Sequence, residues 1–224
     1  EGVAMSIKQT LISPLVVPAR PVGWLFGWTL PMMHKPFYAP CAAALDLQPD
    51  DDLLEVGCGT GAFLKEFGGA AGHISGVDLS GVMVDTTRRH LKERIEAGTA
   101  EVVRGDAAQL PWPTARFSAV TCMGSMEWFP DPEAALREMY RVLRPGGRAV
   151  VTMGMRSDEK RADTPAPNSW GMHGWHEDQA RHAFETAGFV DVTVSYHAMG
   201  GEEMRLLRGA KPAGPPERAE RPAR

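Results

Sequence analysis

Cysteine is scarce in this chain, and its three copies lie too far apart to suggest a disulfide framework. They are Cys41, Cys58 and Cys122 among 224 residues. An odd number of widely spaced thiols indicates reduced cysteines and a cytoplasmic protein. No Cys-x-x-Cys or His-x-x-x-His pair occurs, so the sequence predicts no metal site.

An excess of positive charge is missing as well. The chain has 24 Lys and Arg against 28 Asp and Glu, which gives a formal net charge of -4 and a pI near 6.0. Such a balance argues against nonspecific binding to nucleic acid. The hydrophobic content of 43% and the charged content of 23% are ordinary for a globular protein. The composition therefore predicts a globular protein without a nucleic-acid partner.

No stretch of the sequence has the properties of a transmembrane helix. The apolar segment 11–33 contains four prolines and Arg20, whereas a spanning helix needs about 20 continuous apolar residues. We therefore expect no integral membrane span, although a transient contact with a membrane surface stays open.

A glycine-rich loop follows a short apolar run near the middle of the first half. Residues 53–56, Leu-Leu-Glu-Val, predict a buried parallel strand, and Gly57, Gly59 and Gly61 follow it. Glycine lets the backbone turn sharply and approach a ligand. A helix begins at Ala62, so the loop is expected to offer free N–H groups to an anionic part of a nucleotide-like ligand. The pattern also fits the loose dinucleotide-binding fingerprint and does not identify the ligand alone.

Strand and helix signals alternate over residues 51–210. Strands are predicted at 52–56, 73–78, 100–104, 117–122, 147–153, 190–196 and 203–210. This alternation predicts an α/β fold, with a mostly parallel sheet and helices on both faces. Residues 1–50 form an apolar N-terminal arm, and residues 211–224 are predicted to be a disordered tail.

Three helix positions follow from local signals. Ser80 is expected to cap a helix that runs to about Ala97. Asp131 and Pro132 are expected to start a second helix, since proline suits the first turn and an acidic side chain suits the positive end of the helix dipole. The third is predicted over about 176–187.

Further motifs follow the glycine loop in a fixed order. They are Gly76-Val77-Asp78-Leu79-Ser80, Gly105 to Trp112, Phe117 to Val120 and Arg141 to Gly147. In this order the chain resembles the class I S-adenosylmethionine (SAM)-dependent methyltransferases, in the branch with the type 11 pattern and the UbiE-like small-molecule enzymes. The resemblance covers roughly residues 50–210. It implies a Rossmann-like sheet of seven strands in the order 3-2-1-4-5-7-6, with the last-numbered strand antiparallel.

The resemblance also implies SAM as cofactor and S-adenosylhomocysteine as product. Glu55 and the glycine loop would face the methionine part of SAM, Asp78 would accept hydrogen bonds from the ribose hydroxyls, and Asp106 would bind the adenine amino group. Asp78 as a helix cap and Asp106 as a turn former are the structural alternatives. The full set of expected cofactor residues is Glu55, Gly57, Cys58, Gly59, Gly61, Asp78, Leu79, Met83, Gly105, Asp106, Ala107 and Met123.

The loop after the fourth predicted strand, residues 122–128, is where the resembling family transfers the methyl group. Glu127 is expected to touch the acceptor, although local pairing explains this residue equally well. Histidine is the usual base at neutral pH, so histidines near the cofactor are further candidates. The predicted catalytic residues are Glu127, His173 and His34. The predicted acceptor-binding residues are Trp24, Trp28, Tyr38, Ser125, Trp128 and Trp175.

The N-terminal arm is rich in large apolar side chains, which favours a lid over an apolar substrate. Core packing, a dimer contact and a membrane-facing surface are the alternatives. The preferred function is methyl transfer to a small, largely apolar acceptor by in-line SN2 displacement. A quinone or polyketide-like ring C-methyltransferase, a lipid-headgroup N-methyltransferase and a non-catalytic SAM-binding partner stay open, and the protein is expected to be a monomer or a homodimer.

Overall fold

A computed structural model describes residue 35 and residues 38–153, 174–199 and 202–214. The strands are β1 (Asp52–Val56), β2 (His73–Asp78), β3 (Ala100–Arg104), β4 (Phe117–Cys122), β5 (Leu143–Met153), β6 (Val190–Met199) and β7 (Glu202–Ala210). The helices are α1 (38–45), α2 (Ala62–Phe67), α3 (Gly81–His90), α4 (Lys92–Glu96), α5 (Pro132–Val142) and α6 (Glu177–Ala187), with short 3-10 turns at Gly68–Ala70 and Met126–Trp128.

The strands form one sheet in the order β3-β2-β1-β4-β5-β7-β6. The pairs among β1 to β5 are parallel, and β7 runs antiparallel to both β5 and β6. The predicted strand order is therefore confirmed. Because β1 and β4 are neighbours and their connections run to opposite sides, a crevice opens at the carboxyl ends of these strands.

Helices cover both faces of the sheet, and each face has its own apolar cluster. One cluster includes Leu136 and Met139 of α5 and Phe184 of α6. The other includes Leu45 of α1 and Phe63 of α2. Strands buried on both faces need apolar residues at successive positions, and this explains the continuous apolar runs of β1 and β4.

The predicted bounds of the first four strands match those observed, and the last three strands are longer than predicted. β5 begins at Leu143 rather than at residue 147, because Leu143 already pairs with Phe117. The register then shifts, and Arg148 pairs with Ala119. The sequence Pro145-Gly146-Gly147 lies inside this irregular part of the strand.

The helix predicted from Ser80 to Ala97 is divided in two. Leu91 leaves helical geometry at φ -105° and ψ 15°, and its side chain is buried. The Ser80 side chain does not cap α3. The start of α5 is as predicted, since the Asp131 carboxylate accepts a hydrogen bond from the N–H of Ala134 at 2.8 Å.

The predicted tail begins too early, because Lys211 is part of the packed structure. Its backbone exchanges hydrogen bonds with Gly146 and Gly147. Its ammonium donates to the carbonyls of Tyr140 and Leu143, at the end of α5. The remaining tail residues, 215–224, lie outside the described residues. Within the described ranges, no helix is both long and apolar enough to cross a membrane.

Candidate functional site

The glycine loop after β1 is held by hydrogen bonds within the protein. Val77 O accepts from the N–H groups of Gly57 at 2.8 Å and Cys58 at 3.0 Å. The N–H of Gly59 donates to Asp78 Oδ2 at 2.9 Å, and that of Gly61 donates to Cys58 O. The expectation of free N–H groups for an anionic ligand is therefore wrong at these four residues. The neighbouring strand β2 takes three of the four donors, which the sequence pattern did not reveal.

All three glycines of this loop, Gly57, Gly59 and Gly61, adopt a backbone that other residues avoid. Gly57 has φ +71°, and a Cβ there would lie 2.6 Å from the Cβ of Ser125. Gly59 has φ +52°, but a Cβ there would meet nothing within 4 Å. Gly57 is thus needed for close packing of the 122–128 loop. Gly59 borders open space, where a ligand can approach the backbone.

Glu55 is a buried carboxyl group beneath this loop. Its residue is 4% exposed, and its Oε2 atom is buried without a hydrogen-bond partner. Burial raises the pKa of Glu55 well above its usual value, and the negative charge of Asp78 raises it further. Burial likewise raises the pKa of Cys41 to about 12, with a smaller contribution from Glu55. A positively charged ligand group beside Glu55 would offset this cost.

Asp78 stands at the carboxyl end of β2 and joins the loop to α3. Oδ2 accepts from Gly59 N, and Oδ1 accepts from Ser80 N at 2.8 Å. Burial raises the pKa of Asp78, while these two hydrogen bonds oppose the shift. A carboxylate has about four acceptor positions, so each oxygen retains capacity for a ligand hydroxyl.

The residues expected around adenine divide into surface and core. Leu79 is 45% exposed at the end of β2, whereas Met83 is 2% exposed inside α3. Met83 is therefore part of the core. Asp106 is exposed, and its Oδ1 accepts from Ala108 N at 2.9 Å. Asp106 therefore forms a turn, which was the structural alternative to adenine binding for this residue. Gly105 packs closely on Val77.

The 122–128 loop lies beside the glycine loop at the same edge of the sheet. Ser125 Oγ donates to Gly57 O at 2.9 Å, and Gly124 N donates to Thr152 Oγ1 at 2.8 Å. Burial raises the pKa of Cys122, and the charge of Glu127 adds to that shift, so Glu127 lies near the end of β4. Met123 is buried and Trp128 is half-buried. The structure thus brings Ser125 and Glu127 to the crevice, but Ser125 is engaged with the loop backbone.

Two predicted acceptor-binding residues are part of the core. Tyr38 is 7% exposed and packs edge-to-face on Phe63 at a centroid distance of 5.7 Å. Burial raises its pKa, and Glu55 is the next cause. Trp175 is 1% exposed within the α5 and α6 cluster. Both residues were predicted to bind the acceptor, and the structure packs both in the core, because α2 covers Tyr38 and an apolar cluster encloses Trp175. The other arm and histidine predictions, Trp24, Trp28, His34 and His173, lie outside the described residues.

Sequence reasoning missed one buried charge near this edge. Arg205 of β7 is 3% exposed, and its Nη1 donates to Trp175 O at 2.9 Å. The signal in the sequence was an arginine within the run Met204 to Leu207, whose other residues are all apolar and buried.

The described site suits a cationic ligand better than a phosphate. A phosphate-binding loop needs unpaired N–H groups, and four of those in this loop are already used. The buried carboxyl group of Glu55 and the half-buried one of Asp78 lie at the same place instead. This arrangement fits the ammonium and sulfonium charges of SAM and disfavours the pyrophosphate of a dinucleotide.

Comparison with known proteins finds similarity to methyltransferases. A family profile described as "Methyltransferase domain" matches residues 54–151. The demethylmenaquinone methyltransferase of Geobacillus sp. (strain WCH70) is 29% identical over 189 residues, which cover 72% of this chain and 80% of that protein. The nocamycin O-methyltransferase of Saccharothrix syringae is 39% identical over 189 residues, with 80% of this chain and 61% of that protein covered. Several Listeria demethylmenaquinone methyltransferases match over 56–57% of their length, so the chain spans less than two thirds of most of these relatives.

Solved structures share the fold at low sequence identity. Magnesium protoporphyrin IX methyltransferase from Synechocystis PCC 6803, with bound SAM, has a TM-score of 0.70 and 15% identity, and the match covers 94% of this chain and all of that one. The cyclase SpnF has a TM-score of 0.67 and 21% identity, with 86% and 96% covered. Because one of these two is a cyclase, the shared fold alone does not establish the reaction.

Proposed function

The chain belongs to the class I SAM-dependent methyltransferases, and from this membership we propose that it transfers a methyl group from SAM to a small, largely apolar acceptor by in-line SN2 displacement. The observation that carries this proposal is the buried Glu55 carboxyl group with its unpartnered Oε2. It lies under a glycine loop whose N–H groups are already bonded. A buried carboxyl group without a partner is costly, and a cationic ligand supplies the missing partner.

Three parts of the chain would hold the cofactor. Glu55 would face the positively charged methionine end, and Gly59 would leave room for it. Asp78 would accept hydrogen bonds from the ribose through its remaining acceptor positions. The second oxygen of Asp106 would serve the adenine amino group, with the exposed Leu79 beside it.

SAM supplies a methyl group on a sulfonium, which is already activated for displacement. The task of this chain is alignment, since holding the acceptor atom, methyl carbon and sulfur in line turns a bimolecular step into a unimolecular one. Ser125 supports this role indirectly, because its bond to Gly57 O fixes the 122–128 loop against the glycine loop. Glu127, near the end of β4, is the described candidate to take a proton from an acceptor that carries one at neutral pH.

We propose carbon or oxygen as the acceptor atom, which the names of the relatives support. One compared relative is named as a demethylmenaquinone methyltransferase and another as an O-methyltransferase of nocamycin. The half-buried Trp128 of the 122–128 loop suits a ring or polyketide-like acceptor of either type. A ring C-methyltransferase is therefore the second candidate.

The test starts with calorimetric titration of the full chain with SAM, S-adenosylhomocysteine and NAD. We expect binding of the first two and none of NAD; comparable or tighter binding of NAD overturns the cofactor assignment. A screen with methyl-labelled SAM then compares quinone-like, phenolic and carboxylic acceptors. Binding of SAM without transfer to any acceptor class would instead support the non-catalytic alternative.

The variant Glu55→Gln tests whether the buried carboxyl group of Glu55 faces the cofactor. It keeps the size of the side chain but removes the charge. Loss of a charge-assisted contact costs about 1.5–3 kcal/mol, so SAM affinity should fall about ten- to a hundredfold. Glu66→Gln is the matched control, because Glu66 is an exposed residue in an ion pair with Lys35. An unchanged SAM affinity in folded Glu55→Gln would mean that Glu55 does not face the cofactor.

A further inference from the structure

Arg205 carries a buried positive charge, and no carboxylate pairs with it among the residues that the structure describes. It lies in β7 opposite Met153, the last residue of β5. The residue is 3% exposed, and its Nε atom is buried with no hydrogen-bond partner. Within the described residues it bonds to Trp175 O at 2.9 Å and contacts Tyr196, whose ring lies 5.9 Å from the guanidinium carbon and whose hydroxyl also interacts with Arg205.

Two more buried nitrogens without partners lie in the segment that Arg205 touches. They are Nε1 of Trp175, a residue that is 1% exposed, and Nε2 of the adjacent His176. An indole nitrogen is only a donor, and so is a guanidinium nitrogen. At least two buried donors therefore lack an acceptor at the same place.

Other arginines of this chain show the usual arrangement. Arg148 bonds to Asp51 at 2.5 Å, and Arg141 bonds to Glu138 at 2.7 Å. The Glu177 carboxylate contacts the hydroxyl of Tyr196, which neighbours Arg205, and it pairs with Arg181 at 3.7 Å. A water molecule would satisfy an N–H group, but it carries no charge. An unpaired buried cation is costly, and an anion in this place would offset that cost.

The position of Arg205 connects this cluster to the candidate acceptor side. Cys122 at the end of β4 pairs with Val151 of β5, and Val151 pairs with Leu207 of β7. Two strand spacings, about 10 Å, therefore separate β7 from β4. Trp175 also belongs to the apolar cluster that contains Met126 of the 122–128 loop.

We propose that Arg205, Trp175 and His176 form a binding site for a carboxylate group of the acceptor molecule. The apolar part of the acceptor would then extend towards the 122–128 loop. This inference rests on the proposed function and narrows its substrate class to acceptors that carry an acidic oxygen group.

The test uses the full chain labelled with 15N at tryptophan, titrated with benzoate and with the neutral analogue benzamide. The indole N–H resonance of Trp175, assigned with the variant Trp175→Phe, reports directly on the nitrogen that lacks a partner. We expect a saturable shift with benzoate, at a concentration at least tenfold below that needed for benzamide. A missing shift, or an equal response to both compounds, overturns the proposal.

Arg205→Gln and Arg208→Gln form a matched pair for the same titration. Arg208 lies on the same strand but on the opposite face, where its Nε donates to Ala44 O. Arg205→Gln should lose the benzoate response, and Arg208→Gln should keep it; retention of the response in Arg205→Gln contradicts the proposal. A melting temperature of Arg205→Gln that equals or exceeds that of the wild type is also expected, because an unpaired buried charge is removed.

The titration is run with and without S-adenosylhomocysteine. Failure of the chain to bind S-adenosylhomocysteine would contradict the proposed function but not the carboxylate site. Binding of S-adenosylhomocysteine without a benzoate response would contradict the carboxylate site alone.

Discussion

Replacement of Gly59 by alanine tests whether the open space beside the glycine loop is the cofactor site. Gly59 has φ +52°, and a Cβ there would meet no protein atom within 4 Å. Alanine in this left-handed conformation costs about 1–2 kcal/mol. For a domain of this size that corresponds to a fall in melting temperature of about 2–8 °C. Since the new methyl group would occupy ligand space, we expect a further penalty in SAM binding only.

The size of that binding penalty follows from overpacking. A methyl group inserted into a close-packed contact costs about 1–3 kcal/mol. The affinity for S-adenosylhomocysteine should therefore fall about five- to 150-fold. Calorimetry measures this constant, and thermal unfolding measures the stability of each variant.

Gly98 provides the matched control. It has φ +72°, and a Cβ there would also meet nothing within 4 Å, but it lies in the turn between α4 and β3. Gly98→Ala should lose similar stability and keep the affinity for S-adenosylhomocysteine. If both variants bind this ligand equally well, the space beside Gly59 is not the cofactor site and the reasoning is refuted.

Three further predictions concern charge and the chain ends. The pKa of Glu55 is raised in the ligand-free protein, and a cationic ligand would lower it. SAM affinity should therefore increase with pH until Glu55 is ionised and then level off. Calorimetry from pH 5 to about 8 measures this dependence, and an equal change of affinity with pH in wild type and Glu55→Gln would contradict it. Lys211→Ala should lower stability by about 1–2 kcal/mol, because the hydrogen bonds of its ammonium to the end of α5 are lost. Deletion of residues 215–224 should leave the melting temperature unchanged. Equal melting temperatures for the Lys211→Ala variant and the truncated chain would refute the role of Lys211. Removal of residues 5–30 should leave SAM affinity within a few-fold of the wild-type value and abolish methyl transfer, provided the truncated protein is soluble. A normal rate of transfer would exclude a role of the N-terminal arm as a lid over the acceptor. Loss of SAM binding would mean that the arm covers the cofactor instead.

Local signals in the sequence were sufficient for the bounds of the first four strands and for the start of α5. The bounds of β1 to β4 follow from apolar runs that end at glycine or polar residues, and the start of α5 follows from Asp131 and Pro132. Each of these signals acts through neighbours in the chain, which a sequence displays directly. The order of the strands came from the resemblance of several motifs, and the structure confirms it.

The chemistry of the site depended on contacts between residues distant in sequence. The glycine loop lost its expected free N–H groups because Val77 and Asp78, about twenty residues later, accept them. Tyr38 became core because α2 covers it, and Arg205 became a buried charge because β7 inserts beside β5. Burial and hydrogen-bond pairing belong to the packed sheet as a whole, so only the tertiary structure decided whether each of these groups still has a free donor or acceptor.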